Sequence, residues 1–336
     1  MYYSFIYFLF KTLPRRIFRA IKFLINLKTL TLANKTKQFI KQQQTINESN
    51  PINNNQLVKC IGSSERTTTS GLILPTIQNI HTSEPILAVS NDYVLINERT
   101  RKRNQIIVYD EYLNYRSLKF PRKITIIETV HFSENKFLLL TETQLFIIDA
   151  KIMSSIEVIE EIIPYENAKI FKSCTYNIND NSLFLSYATW GGEIERWKQQ
   201  PNWKLVNQYM PTQTTMTEYE YISNIKMNNN QLLAMTIYNS VIDQWHLEIR
   251  AIETLNKLKT ILLPRSDFDY CLSLMNYDRW LIYNKYSNDF LLVDQYGKKQ
   301  TGNYGQPIKN IALFRYNNLI VRTMEKLRII IIADEE

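Results

Sequence analysis

The sequence predicts an all-β fold made of repeated four-stranded units, and three observations lead to this prediction. Residues 122–163 contain four short runs of β-branched, leucine and aromatic residues, separated by polar turn residues. Runs of the same kind recur along the chain at intervals near forty residues. Six of the ten prolines stand just before a new run, namely Pro85, Pro121, Pro164, Pro211, Pro264 and Pro307. A period of about forty residues with four strands per repeat is typical of β-propeller blades.

The most regular unit, residues 122–163, serves as the reference for the others. Its sequence predicts strands over 124–132, 137–140, 145–148 and 156–159, because these runs are rich in isoleucine, leucine and phenylalanine. The polar segments between them predict turns.

Two regular features of the sequence mark the unit boundaries. Proline cannot donate a hydrogen bond to a strand ladder, so a position ahead of a first strand suits it. The third strand of five units ends at an acidic or aromatic residue, at Asp110, Asp149, Trp197, Asp294 and Asp334. Together these features predict an all-β, six-bladed β-propeller of four-stranded blades over residues 66–336. The recurring aspartates are interpreted as turn residues at strand ends.

The sixth unit lacks a fourth strand, because only two glutamates follow Asp334. An open strand edge is a liability that folded proteins avoid. The apolar run at 71–75, GLILP, lies before the first unit and has no other assignment. We therefore expect it to form the outer strand of the last blade and to close the ring.

An N-terminal basic helical arm is predicted over residues 1–45, followed by a polar linker over 46–65. Nine lysines and arginines precede the first acidic residue, Glu48, so the rest of the chain is near neutral although the net charge is +8. The apolar stretch at 1–10 is too short to span a bilayer. A basic amphipathic helix at 15–32 predicts peripheral membrane contact through residues 1–32. A helix packed on protein, an unfolded terminus and a mitochondrial presequence are the alternatives.

Few residues suggest chemistry. Cys60, Cys174 and Cys271 are scattered and odd in number, which argues against disulfides or structural zinc and favours a reducing, cytoplasmic location. The sequence contains no nucleophile elbow, P-loop, dinucleotide fingerprint or zinc-hydrolase motif, so it predicts no catalytic, metal or cofactor residues. Glu193 and Glu195 are spaced to share one face of a strand, and we expect both to be solvated.

The strand-three endings IIVYD at Asp110 and LFIID at Asp149 resemble those of WD40-like and NHL-like β-propellers, over residues 66–336. The chain lacks the Gly-His and Trp-Asp pairs of regular WD40 repeats, and it has only one double glycine. Animal NHL proteins that carry RING, B-box and coiled-coil segments have a helical arm before the propeller. This resemblance implies, as an alternative function, substrate recognition within a ubiquitin-ligase assembly. Such an assembly would need a partner, because the sequence has no Cys/His zinc module.

In a propeller, the loops between strands two and three and those joining successive blades gather on one face, which we call the top face. They predict partner-binding candidates at Arg99, Arg101, Lys102, Arg103, Tyr165, Trp190, Arg265, Asp267 and Tyr286. The four basic residues favour an acidic peptide or a phosphate. A solvated hairpin and a nuclear-localisation signal are the alternatives. Trp190 is either a partner anchor or a residue packed under its own loop.

The function predicted from these patterns is a non-enzymatic scaffold that binds a peptide or protein through the top-face loops. The near-neutral propeller argues against nucleic acid as the partner. A hydrolase or lyase propeller is the alternative of a different class, because propellers carry many unrelated functions. A central channel lined by three or more histidines or carboxylates favours the enzyme, and an unclustered channel favours the scaffold.

Overall fold

The computed structural model describes residues 77–78, 87–99, 104–110, 114–164, 169–209, 216–275, 278–314, 318–323 and 326–331. All 24 assigned elements in these residues are β-strands. No helix in this part of the chain is long and apolar enough to cross a membrane. The predicted arm at 1–45, the linker at 46–65 and the run at 71–75 lie outside the described residues. So do four partner-binding candidates, Arg101, Lys102, Arg103 and Tyr165.

The strands form six four-stranded antiparallel sheets, here called blades. Blade 1 contains β2 (Leu87–Val89), β3 (Val94–Arg99), β4 (Asn104–Tyr109) and β5 (Tyr115–Lys119). Blade 2 contains β6 (Ile126–Ser133), β7 (Lys136–Thr141), β8 (Leu145–Asp149) and β9 (Ile156–Ile159). Blade 3 contains β10 (Phe171–Asn177), β11 (Ser182–Tyr187), β12 (Ile194–Gln199) and β13 (Trp203–Tyr209).

The remaining blades follow the same order. Blade 4 contains β14 (Glu220–Met227), β15 (Leu232–Asn239), β16 (Gln244–Ala251) and β17 (Lys257–Leu262). Blade 5 contains β18 (Tyr270–Leu274), β19 (Trp280–Asn284), β20 (Asp289–Val293) and β21 (Lys299–Asn303). Blade 6 combines β22 (Asn310–Phe314), β23 (Asn318–Arg322) and β24 (Lys326–Ile331) with β1 (Ile77–Gln78).

The first strands of the blades surround a central channel. Strands β2, β6, β10, β14, β18 and β22 neighbour one another in that order, and β22 also contacts β2. Side chains from all six of these strands line the channel. The prediction of an all-β propeller built from four-stranded blades is therefore confirmed.

The reference unit folds as its sequence predicts. All four strands of blade 2 are present, and each predicted end lies within two residues of the observed one. Phe137 and Leu139 of β7 pack in a cluster with blade 1, whereas Leu138 and Leu140 pack in a cluster with blade 3. Because both faces of this strand are covered by neighbouring blades, its sequence is a continuous apolar run rather than an alternating one.

The two boundary signals have clear structural roles. Pro121, Pro164, Pro264 and Pro307 lie in the connections between successive blades, whereas Pro85 and Pro211 are outside the described residues. The aspartates at strand ends act as turn residues, as predicted. The Oδ1 atoms of Asp110, Asp149 and Asp294 accept hydrogen bonds from backbone amides two to four residues later, at 2.8–3.1 Å.

The last blade takes its outer strand from the N-terminal side of the chain. Strand β1 pairs antiparallel with β24, with Ile77 opposite Leu327 and Gln78 opposite Lys326. This pairing covers the edge that β24 would otherwise expose. The strand follows shortly after the predicted run at 71–75.

Candidate functional site

More exposed apolar side chains lie in top-face connections than in connections on the opposite face, and six others lie on the outer strands β5, β9, β13 and β17. Among the described residues, eight large hydrophobic residues are exposed in top-face connections, and three are exposed in connections on the opposite face. The eight are Ile163, Ile170, Trp190, Tyr219, Val241, Ile242, Phe268 and Tyr286, and the three are Ile152, Ile178 and Tyr296. Exposed apolar clusters on one face of a protein are typical of interaction sites.

Trp190 occupies the loop between β11 and β12 and is 54% exposed. Its ring packs edge-on against Tyr221 of β14, with 5.3 Å between centroids. Its backbone also pairs with that of Tyr221, and the amide of Gly191 donates to the carbonyl of Glu220 at 2.7 Å. Trp190 therefore packs along one edge on the next blade rather than under its own loop, and about half of the residue is exposed. Its role as a partner anchor stays a prediction.

The double glycine after Trp190 fixes the shape of this loop. Gly191 and Gly192 have φ values of 95° and 64°, in the left-handed region that favours glycine. A Cβ atom at Gly192 would lie 2.2 Å from the Met216 sulfur. Since the loop packs this closely on the segment that enters blade 4, Trp190 is held in a defined position.

Trp190 is the exposed end of a larger aromatic cluster that reaches into blade 5. Tyr221, Tyr238, Trp245 and Tyr270 continue the cluster, with successive centroids 5.1–5.9 Å apart. The Tyr221 hydroxyl donates to Asp269. Burial, followed by this hydrogen bond, raises the pKa of Tyr221. The tyrosine is therefore a neutral donor at physiological pH.

A second exposed aromatic pair lies on blade 5. Phe268 and Tyr286 stack with centroids 4.1 Å apart. The Lys309 Nζ atom is 4.2 Å from the Tyr286 ring centroid and donates to the Lys285 carbonyl at 2.6 Å. Burial, with a smaller contribution from Lys285, lowers the pKa of Lys309. The predicted candidate Tyr286 is thus an exposed ring that contacts both Phe268 and Lys309.

Phe268 and Tyr286 line the channel. A separate groove of about 720 Å³ includes Asn284, whose side-chain amide donates to the Phe268 carbonyl at 3.3 Å. Arg265, Asn284 and Asp289 contribute polar groups to it, and Ile282 and Phe290 contribute apolar surface. The structure therefore brings together the segments that carry the predicted residues Arg265 and Tyr286. The volume of the groove lies within the range of pockets that bind small molecules.

Asp267 and Arg99 have different surroundings. Asp267 is exposed and lines the mouth of the channel. Arg99 is half-buried, and its guanidinium donates to Thr125 Oγ1 at 2.6 Å. Arg99 thus braces the connection that leads into blade 2, and the basic cluster that it begins stays a prediction.

The central channel has a volume of about 700 Å³, and one part of its wall is a network of polar groups that bond to one another. Glu128 Oε1 accepts from Lys226 Nζ at 2.5 Å, and Oε2 accepts from Ser173 Oγ at 2.6 Å and the Cys174 amide at 2.8 Å. Asn224 adds a hydrogen bond to Glu128 at 3.3 Å. The network links the first strands of blades 2, 3 and 4, a contact set that the sequence did not predict.

Nearer the top of the channel, Asp269 forms an ion pair with Lys172 at 2.6 Å. Four of the described histidine and carboxylate residues line the channel, Glu128, His131, Asp267 and Asp269, and their number meets the condition stated above for an enzyme. Glu128 and Asp269 are each engaged by a lysine, at 2.5 and 2.6 Å. No group of three or more His, Cys, Asp or Glu residues in the described ranges could hold a metal ion.

The prediction for Glu193 and Glu195 is wrong, because both residues are buried in blade 3, at 4% and 2% exposure. Lys169 and Gln208 bind Glu193 at 2.5 and 2.7 Å, and the Trp197 indole donates to Glu195 at 2.8 Å. Burial raises the pKa of Glu195. The carboxylates are enclosed between blades, where the neighbouring blade covers the surface expected to face water.

No protein-family model and no curated protein matches the chain. Solved structures do match its fold. A luciferin-regenerating enzyme is 10% identical, with 76% of this chain and 92% of that chain covered and a TM-score of 0.53. A streptogramin B lyase is 8% identical, with 78% and 96% covered and a TM-score of 0.51. The WD40 domain of Toxoplasma gondii coronin is 8% identical, with 76% and 83% covered and a TM-score of 0.50.

These similarities confirm the resemblance to WD40-like propellers at the level of the fold. The neighbours include both enzymes and a WD40 domain, so they do not decide between catalysis and binding.

Proposed function

We propose that the protein is a non-enzymatic interaction scaffold whose top-face loops bind a peptide or a protein. The observation that carries this proposal is the unequal distribution of exposed apolar side chains, eight on the top face against three on the opposite face of the described residues. Exposed aromatic residues are the side chains that most often anchor protein partners.

The two exposed aromatic sites are already ordered for binding. Trp190 is held by Tyr221 and by the double glycine that follows it, and Tyr286 is held by Phe268 and Lys309. A rigid aromatic ring loses little conformational entropy when it is covered by a partner. The structure therefore offers anchors of the kind that give a small interface useful affinity.

The proposal is tested by affinity capture with the tagged full chain, followed by mass spectrometry. Trp190→Ala combined with Tyr286→Ala removes both anchors, whereas Ile152→Ala combined with Tyr296→Ala removes similar surface on the opposite face. We expect the first variant to lose specific partners by about tenfold or more and the second to retain them. Equal recovery by both variants would overturn the proposal.

The same capture tests the ubiquitin-ligase alternative. Recovery of a ligase subunit together with the partner would support a role in substrate recognition. Recovery of partners without any ligase subunit would support the scaffold function and argue against a role in a ligase.

A second candidate function is an enzyme that uses the channel. The network around Glu128 supports it, because this carboxylate lies in a 700 Å³ channel beside a lysine, a serine hydroxyl and an amide. Turnover of 4-nitrophenyl esters by the wild-type chain, lost in Lys226→Met with the fold retained by circular dichroism, would support catalysis. No turnover, or equal turnover by the variant, would remove the channel from consideration as an esterase site.

A further inference from the structure

Three top-face loops of blades 3 and 4 form one continuous surface. The loop after β11 bonds to the loop before β14 through the Gly191 amide and the Glu220 carbonyl, at 2.7 Å. The loop after β15 bonds to the same segment through the Ser240 amide and the Tyr219 carbonyl, at 3.0 Å. The Asn239 side-chain amide adds a bond to Glu220 at 3.1 Å. These contacts fix the three loops together.

This surface, here called the blade 3–4 patch, presents four large apolar residues and two carboxylates. Trp190, Tyr219, Val241 and Ile242 are 54%, 50%, 67% and 59% exposed, and Glu218 and Asp243 are exposed beside them. The patch thus contains half of the exposed hydrophobic residues of the top face.

The apolar residues of the patch are held outward by local hydrogen bonds. The amides of Val241 and Ile242 donate to the Asn239 side-chain oxygen at 3.0 and 3.3 Å. The Tyr238 hydroxyl donates to Asp243 at 2.9 Å. The loop between β15 and β16 therefore exposes two branched aliphatic side chains in a defined turn.

The charge of the patch is opposite to that of the whole chain. The described residues of the three loops, 187–194, 216–220 and 239–244, contain no lysine, arginine or histidine, whereas the chain as a whole has a net charge of +8. Of their acidic residues, Glu193 and Glu220 bond within the fold, to Lys169 and to Asn239. Glu218 and Asp243 each have a tyrosine neighbour, Tyr219 and Tyr238, but both carboxylates are exposed, so the exposed charge of the patch is negative.

We propose that the blade 3–4 patch binds a basic, apolar segment of a protein partner, with an arginine guanidinium over the Trp190 ring and between Glu218 and Asp243. This inference rests on the proposed scaffold function and names the partner chemistry of one site. A guanidinium stacks on aromatic faces and binds carboxylates through two parallel hydrogen bonds. Val241 and Ile242 would cover the aliphatic residues beside that arginine.

The charge of the patch also indicates which ligands it rejects. Phosphate groups of nucleic acids and anionic membranes would meet Glu218 and Asp243 without a cation between them in the three loops. The nearby ammonium of Lys172 is engaged by Asp269 at 2.6 Å. A peptide with both basic and apolar residues can contact the acidic and the apolar parts of the surface together.

The experiment measures fluorescence anisotropy of a fluorescein-labelled peptide of alternating arginine and leucine, titrated with the full chain. A peptide with glutamate in place of arginine is the matched probe. We expect the arginine peptide to bind and the glutamate peptide not to bind. Trp190→Ala should weaken binding about tenfold or more, and Glu218→Gln combined with Asp243→Asn about fivefold. Tyr296→Ala and Glu157→Gln, exposed elsewhere, should leave it unchanged.

Absence of binding by the arginine peptide, equal binding by the glutamate peptide, or equal affinity for Trp190→Ala would overturn the inference. Trp190→Phe, which keeps a ring, should retain most of the binding and guards against misfolding as the cause of a loss. The arginine peptide could fail to bind while the Trp190→Ala, Tyr286→Ala variant still loses its captured partners. In that case only the basic chemistry of the partner is wrong. If captured partners also survive the top-face variant, the scaffold proposal fails as well.

Discussion

Replacing Glu128 by glutamine should destabilise the propeller, because this carboxylate joins three blades across the channel. Glu128 is on β6, and it accepts hydrogen bonds from Ser173 and Cys174 on β10 and from Lys226 on β14. Its isosteric amide keeps the volume but removes the charge that pairs with Lys226. The variant therefore removes the charge and also one of the two accepting oxygens, because the amide nitrogen of glutamine can only donate.

The expected magnitude follows from the burial of the pair. The side chains of Glu128 and Lys226 are 13% and 16% exposed. Removing one member of a buried ion pair costs about 3–5 kcal/mol, and the remaining solvent contact lowers our expectation to about 2–3 kcal/mol. For a domain of this size that corresponds to a fall in Tm of about 4–12 °C.

Thermal and urea unfolding of Glu128→Gln, Lys226→Met and the double variant form a mutant cycle. Each single variant should lose stability because it leaves the other charge unpaired, and the double variant should lose less than the two together. Glu157→Gln, exposed on β9, is the control. Strictly additive losses, or no loss in Glu128→Gln, would refute the coupling.

Three further predictions concern the pH dependence of stability and the closure of the ring. Burial raises the pKa of Glu248, but the hydrogen bond from His246 and nearby positive charge outweigh it and hold the pKa at about 2. Its ionised form therefore stabilises the fold above the unfolded pKa of about 4.3, and this contribution is lost as pH falls toward about 2. In urea unfolding, the free energy of unfolding of Glu248→Gln should depend less on pH in that range than that of the wild type, and an unchanged pH dependence would contradict this. Burial raises the pKa of Glu195, so its contribution is present below the unfolded pKa and lost as pH rises through the folded pKa. Stability of Glu195→Gln relative to wild type should therefore improve from about pH 4 to pH 7, and a constant difference would argue against it. Deletion of residues 1–60 should leave a cooperative melt and deletion of 1–80 should abolish it, because only the second removes β1; equal melting of the two truncations would show that β1 does not close the ring.

The blade architecture was predictable because its signals are local. The four strands of blade 2 follow from runs of isoleucine, leucine and phenylalanine separated by polar turn residues. Asp149 could be assigned to a turn because an aspartate bonds to the amides that follow it, within the same few residues. Such features need no knowledge of what lies on the neighbouring blade.

The site depends on contacts between segments distant in sequence, which a single sequence does not reveal. Trp190 could be singled out because it stands beside a double glycine, but its supporting ring, Tyr221, comes from the next blade. The negative charge of the blade 3–4 patch arises only when three loops meet, since Glu218 and Asp243 belong to different segments. The near-neutral composition of the propeller gives no hint of such a surface.

Glu193 and Glu195 show why a strand pattern that holds for many sheets fails in a propeller. Where a sheet has one face in water, two acidic residues spaced by two positions belong on the wet face. In this fold each blade is covered on both faces by its neighbours, so the same spacing places both carboxylates between blades. Burying these carboxylates without hydrogen-bond partners would cost a large free energy. The chain supplies donors to them from Lys169, Gln208 and the Trp197 indole. For a strand in the middle of a blade, an acidic pair therefore predicts a buried polar network, and the residues to look for are its donors in the adjoining strands and in the connection from the preceding blade.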